Sequence, residues 1–118
     1  MQLLCKQSEE NNTDCLGVFD ESVKRFVSPS PTFKVPQIGW NKVQQTSSVL
    51  FINIPDGSFF YFVHSYFVPK GNQTIGTTDY IHPYSAALVK DNFYGVQFHP
   101  EKSQNVGLQL LKNFVELA

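Results

Sequence analysis

Charge is scarce in this chain. Only 16% of its 118 residues are Asp, Glu, Lys or Arg, and nine basic against ten acidic side chains leave a formal net charge of −1. That balance gives no general attraction to nucleic acid or to an anionic membrane surface. Thiols are nearly absent, and Cys5 and Cys15 cannot make a disulfide framework. Together with His99 they are too scattered for a recognisable zinc spacing, so no metal ion is expected. No apolar run approaches the ~20 residues of a membrane-spanning helix. The opening Met1-Gln2-Leu3-Leu4-Cys5-Lys6 lacks the features of a secretory signal. These absences exclude a disulfide-stapled scaffold and a helical membrane protein, and they predict a cytoplasmic location.

What is present suffices for one small domain. Hydrophobic residues make up 42% of the chain, with eleven Phe, five Tyr and one Trp. The pattern predicts an α/β fold, mostly strands, with a short N-terminal helix over Met1 to Glu9 and a closing helix after Ser103. Val23 to Val27 suits a short strand, and Asn41 to Gln44 starts another. Leu50-Phe51 suits one helical turn before the Pro55-Asp56-Gly57 turn. Phe59 to His64 is a near-continuous apolar run, the mark of a strand covered on both faces. Thr74 to Tyr80 is β-rich, and Ala86 to Lys90 with Phe93 to Phe98 predicts a hairpin around Asp91-Asn92. From Ser103, a suitable N-cap, the residues Gly107, Leu110, Leu111, Phe114 and Ala118 mark one face of an amphipathic helix. No repeat or linker divides the chain.

The chemistry concentrates at Phe93 to Ser103. An apolar strand there ends on His99-Pro100-Glu101. On extended backbone, residues two apart share a side and sit roughly 6.6 Å from each other. Glu101 can therefore hold one imidazole nitrogen of His99 and leave the other free as a base. That is half of a nucleophile–base–orienter triad, and the nucleophile has to come from elsewhere.

Val96-Gln97-Phe98-His99-Pro100-Glu101 resembles the signature that ends the catalytic domain of class I (triad) glutamine amidotransferases. Pro36-Gln37-Ile38-Gly39-Trp40-Asn41, Tyr61-Phe62-Val63-His64-Ser65-Tyr66 and Asp91 to Glu101 narrow the resemblance to the glutaminase subunits of imidazole glycerol phosphate synthases, of histidine biosynthesis. Gln37 departs from the His often found there. The resemblance implies a flavodoxin-like domain, of which residues 1–118 match the C-terminal part. It also implies His99 as catalytic base and Glu101 as its orienting acid. Gln2, Glu10, Ser65 and Tyr66 match positions around the substrate glutamine. Trp40, Asn41 and Lys102 match positions near the partner, a TIM-barrel cyclase that receives ammonia in a heterodimer. Plainer readings stand beside these: a solvated helix face for Gln2 and Glu10, a strand end for Ser65 and Tyr66, a core plug for Trp40 and an ordinary exposed lysine for Lys102.

Met1-Gln2-Leu3-Leu4 resembles the segment directly after the family's nucleophile elbow, so the expectation is a domain that opens just past its cysteine. Cys15-Leu16-Gly17 mimics that elbow, but Thr13-Asp14 replaces the small residues and apolar strand that such a tight turn needs. A truncated or misassigned start and a split enzyme both remain open, as do another amidotransferase of this class and a non-catalytic module that binds the cyclase. Without the preceding strands, an apolar face over Tyr61 to Val63 and Val96 to Phe98 is expected, with a tendency to self-associate.

Overall fold

The computed structural model describes residues 1–117. Nine strands and one α-helix follow in order: β1 (Cys5–Ser8), β2 (Thr13–Asp14), β3 (Phe19–Arg25), β4 (Gln37–Gln45), β5 (Ser58–His64), β6 (Tyr66–Phe67), β7 (Thr74–Tyr80), β8 (His82–Lys90), β9 (Phe93–Val96) and α1 (Gln104–Leu117). Single 3-10 turns lie at Gln2–Leu4, Glu10–Asn12, Val49–Phe51 and Pro100–Lys102. The α/β class, the strand-rich middle and the closing helix all follow the sequence pattern.

The strands form two sheets, ordered β2-β1-β3-β6 and β5-β4-β7-β8-β9. The larger is antiparallel throughout, whereas β1 and β3 run parallel. A bridge between Val68 and Ser85 joins the sheets. Past β9 the chain bonds first to β8, through the Gln97 amide and the Ala86 carbonyl at 2.8 Å, and then to β5, through the His99 amide and the Tyr61 carbonyl at 2.9 Å. Since β5 and β9 are opposite edges of the larger sheet, these bonds curl it back on itself. Its concave face is filled by Phe60, Phe62, Tyr84, Ala86 and Phe98, with Phe26 from just past β3, Phe67 from β6 and Leu110 from α1.

Four expectations need correction. The helical pattern of Met1 to Glu9 yields only one 3-10 turn before the chain straightens into β1. Pairing with the free side of β3 and burial of Cys5 there outweigh the helix preference of the surrounding residues. β5 is not covered on both faces: Phe60, Phe62 and His64 point inward, while Phe59 is 49% and Val63 40% exposed. The expected apolar face is consequently smaller than predicted. Phe62 and Phe98 are buried and Tyr61 is half-covered; the exposed apolar residues are Val63 and, from β4 and β5, Ile38, Trp40 and Phe59. On α1 the buried stripe is Gly107, Leu110 and Asn113, with Leu111 and Phe114 at its half-exposed margins. Ala118 lies outside the described residues.

Candidate active site

His99 lies at the junction where the chain leaves the sheet. Its backbone is extended, with φ −98° and ψ 99°, and Pro100 opens the 3-10 turn that carries Glu101 and Lys102. Proline suits this first helical position because its ring presets φ and no amide donor is lost. The contact between His99 and Glu101 is made as expected, at 2.8 Å from Nδ1 to Oε1, although the turn rather than extended backbone brings the carboxylate round. A carboxylate can only accept, so Nδ1 carries the proton and the lone pair is left on Nε2. Nε2 has no hydrogen-bond partner among the described residues.

Ser103 fixes this junction, and not in the capping role its position suggests. Its buried hydroxyl donates to the His99 carbonyl at 2.6 Å and accepts the Tyr61 amide at 3.0 Å. The hydroxyl therefore clamps the His99 backbone to β5 instead of capping its own helix. Gly107 completes the seat, because a Cβ there would overlap the Pro100 carbonyl oxygen.

A cleft of about 590 Å³ opens beside His99. Gln2, Glu10, Ser65 and Tyr66 line it with His99, so residues as far apart as 2 and 99 in sequence share one concavity. Gln97, His64 and Val63 are among the other lining residues. The Gln2 carboxamide donates to the Tyr66 carbonyl at 2.8 Å and to Gln97 Oε1 at 2.6 Å. The Tyr66 carbonyl also takes a hydrogen bond from His64 Nδ1 at 2.7 Å. Burial pushes the His64 imidazole down to about 4, so it is neutral at pH 7. With Nδ1 donating, His64 Nε2 must accept. It faces the Gln37 carboxamide at 2.9 Å and the Tyr84 hydroxyl at 3.1 Å. The facing Gln37 atom is Oε1, which takes the Tyr84 hydroxyl proton at 2.8 Å; after a half-turn of the amide the Gln37 nitrogen supplies Nε2 with its proton instead.

Neither cysteine lines this cleft. Cys5 is fully buried against Phe19, Val23, Val68 and Leu88, and burial raises its thiol to about 11. Cys15 follows β2 in a loop, its Sγ 3.8 Å from the Thr13 carbonyl. No cluster of three or more His, Cys, Asp or Glu suited to a metal ion occurs among the described residues.

The family model for the class I glutamine amidotransferases matches residues 1–117. The chain belongs to that family. Among curated relatives, the imidazole glycerol phosphate synthase subunit HisH of Bacteroides thetaiotaomicron is 54% identical over 117 residues. The HisH subunits of Bacteroides fragilis and Escherichia coli are 55% and 50% identical. Each alignment covers 99% of this chain and 60% of the relative, so the chain spans about three-fifths of the length of the proteins it matches.

In this amidotransferase chain, the three residues expected near a partner do not share one face. Trp40 is 46% exposed on β4 and packs edge-on against Tyr61, its cross-strand partner, with ring centroids 5.8 Å apart. Asn41 follows it in the strand and points the other way. Its carboxamide donates to the Asp79 carbonyl at 3.0 Å and accepts the Lys42 amide, so it ties the sheet together. The strand expected to start at Asn41 begins earlier, at Gln37, runs nine residues and pairs with β5 from Gln37 to Val43. Gly39 absorbs the distortion at φ +130°. Lys102 is exposed at the end of the 3-10 turn that carries Glu101.

Ser103, Gln97 and His64 were not singled out by the sequence as functional. Gln97 and His64 lie within the stretches that carry the resemblance and Ser103 follows one of them, but no functional role was attached to the three positions. No helix among the described residues is long and apolar enough to cross a membrane.

Proposed function

We propose that this chain carries the acid–base machinery and the glutamine cleft of a glutaminase subunit of imidazole glycerol phosphate synthase, acting in the cytoplasm. The observation that carries the reading is the convergence of Gln2, Glu10, Ser65, Tyr66 and His99 on one cleft, with Glu101 bonded to the far nitrogen of His99. High identity to relatives named as HisH subunits supports it.

In this reading Gln2 and Glu10 hold the amino-acid end of glutamine, and the Ser65–Tyr66 backbone flanks it. His99 Nε2 takes the proton of an attacking thiol. The thiolate adds to the side-chain amide carbon, and His99 returns the proton to the departing nitrogen. Ammonia leaves, and water hydrolyses the thioester to glutamate. Glu101 holds the tautomer that makes Nε2 the base. The thiol is neither Cys5 nor Cys15, since neither reaches the cleft; a segment outside these 118 residues supplies it. Without a thiol the chain alone releases no ammonia, because losing the nucleophile costs a triad protease about 10⁶-fold in kcat.

The partner in this reading is a cyclase that takes up the ammonia. The outer face of β4 and β5 supports a docking role, since Ile38, Trp40, Phe59 and Val63 are exposed together there. Lys102 adds a cation at the adjoining turn.

Titration of the isotope-labelled chain with L-glutamine tests the cleft. Shifts should concentrate on Gln2, Glu10, Ser65, Tyr66 and His99, with ammonia release at background. Absence of shifts at those residues refutes the cleft, and His99-dependent ammonia release refutes the external thiol. A pull-down with the cyclase tests the partner; failure to bind removes it.

A further inference from the structure

The Gln2 carboxamide is held at its nitrogen by two oxygens. The Tyr66 carbonyl can only accept, so the atom facing it must be the nitrogen of Gln2. The second proton of that nitrogen goes to Gln97, which must therefore present its own oxygen. Both N–H groups of Gln2 are consumed, and its Oε1 accepts no hydrogen bond among the described residues. The Tyr66 carbonyl is anchored in turn, because His64 Nδ1 occupies its other lone pair. The backbone of Gln97 is tied to β8 at 2.8 Å, so its side chain projects from a fixed point.

We propose that Gln97 is a positioning residue that locks the Gln2 carboxamide with its oxygen as the ligand-facing atom, making the cleft selective for a substrate that brings a hydrogen-bond donor such as an α-ammonium group. Without Gln97 the carboxamide keeps one anchor, the Tyr66 carbonyl, and is free to turn about it. The ligand then meets a mixture of donor and acceptor, and a cationic amine loses its advantage. This inference rests on the reading of the cleft as a glutamine site, and it assigns the selectivity to a residue that need not touch the ligand.

The test compares two ligands on the full chain: L-glutamine and 4-carbamoylbutanoate, which is glutamine without its α-ammonium group. Affinities are read by NMR titration of the wild type, Gln97→Met and Gln97→Glu. Met fills the space and removes the acceptor; Glu restores it. The preference of the wild type for L-glutamine should fall about three- to tenfold in Gln97→Met, the range expected for one hydrogen bond. It should persist in Gln97→Glu. Equal weakening of both ligands in Gln97→Met would mean a general structural role and overturn the proposal. So would an unchanged preference, or a Glu variant that behaves like Met. A wild type that binds neither ligand overturns the glutamine reading itself, a result distinct from all of these.

Discussion

Replacing Gly107 by alanine sets two effects of opposite sign against each other. In an open helix interior the change stabilises by about 1 kcal/mol, because alanine has less backbone freedom to lose. Gly107 is buried on α1 against the turn that carries Glu101. A Cβ built there overlaps the Pro100 carbonyl oxygen, and it lies 2.9 Å from both the Pro100 carbonyl carbon and Ser103 Cβ. Two of these three atoms are backbone, so no side-chain rotation relieves the contact. Relief requires α1 to lift from the turn, or the turn to shift and take His99 with it. Overpacking of this kind costs about 1–3 kcal/mol, and backbone against backbone belongs at the upper end. After the propensity gain, a net loss of about 1–2 kcal/mol is expected, or roughly 4–8 °C in melting temperature for a domain of this size. Urea and thermal unfolding measure the loss. NMR of the His99 ring follows the turn, with the Nδ1 proton signal expected to weaken as the bond to Glu101 loosens. A Gly107→Ala protein as stable as the parent, with an unchanged His99 signal, would refute the close seat of helix on the Pro100–Lys102 turn.

Ser103→Ala leaves the Tyr61 amide and the His99 carbonyl without their shared hydroxyl, and should cost about 1–3 kcal/mol by denaturant titration; Ser103→Thr should restore most of it. His64 gives stability a pH dependence of known sign. Its folded value of about 4 lies below the unfolded 6.5, so the unfolded chain binds the proton more tightly, and stability present above pH 6.5 drains away as pH falls toward 4. The difference amounts to on the order of 3 kcal/mol, and His64→Gln should flatten that slope in melts between pH 7 and 4.5. Cys15 should alkylate at pH 8 while Cys5 stays unmodified until the chain unfolds, because burial holds the Cys5 thiol at about 11; mass spectrometry showing equal labelling would refute the burial.

β5, β7 and the hairpin of β8 with β9 were legible because turn residues and β-branched or aromatic side chains agreed over the same stretches, whereas the first half of β4, the start of β8 and the two-residue β6 were not read as strands. The closing helix was legible from its apolar face. His99 and Glu101 could be paired from their spacing alone, and their contact at 2.8 Å is present. The network around Gln2 was not legible, because each of its bonds to Tyr66 and Gln97 spans more than sixty residues of sequence. Spacing says nothing about such partners until the sheet has curled. Asn41 shows the converse. A short motif placed it beside Trp40, but strand alternation separates the two side chains onto opposite faces.

β1 is the element where local preference and tertiary context disagree most. Lys6, Gln7 and the neighbouring Gln2, Leu3 and Leu4 favour helix, and none of Cys5 to Ser8 is β-branched or aromatic. Its register with β3 slips between Cys5 and Gln7, so only Cys5 and Ser8 turn inward along the four residues. Besides its pairing with β2 and β3, its one core side chain is Cys5, packed against Phe19 and Val23 of β3 and Leu88 of β8. Such a strand should open before the five-stranded sheet does, since few buried contacts oppose it. Amides of Cys5 to Asp14 are thus expected to exchange with solvent well ahead of those in β7 and β8. Cys5→Arg, which places an unpaired charge in that pocket, should release β1 and β2 while resonances of β4 to β9 keep their dispersion. Collapse of the whole spectrum would mean that the N-terminal strand pair and the curled sheet fold as one cooperative unit, and that the helical preference of the first residues is overridden by the entire domain rather than by a single buried thiol.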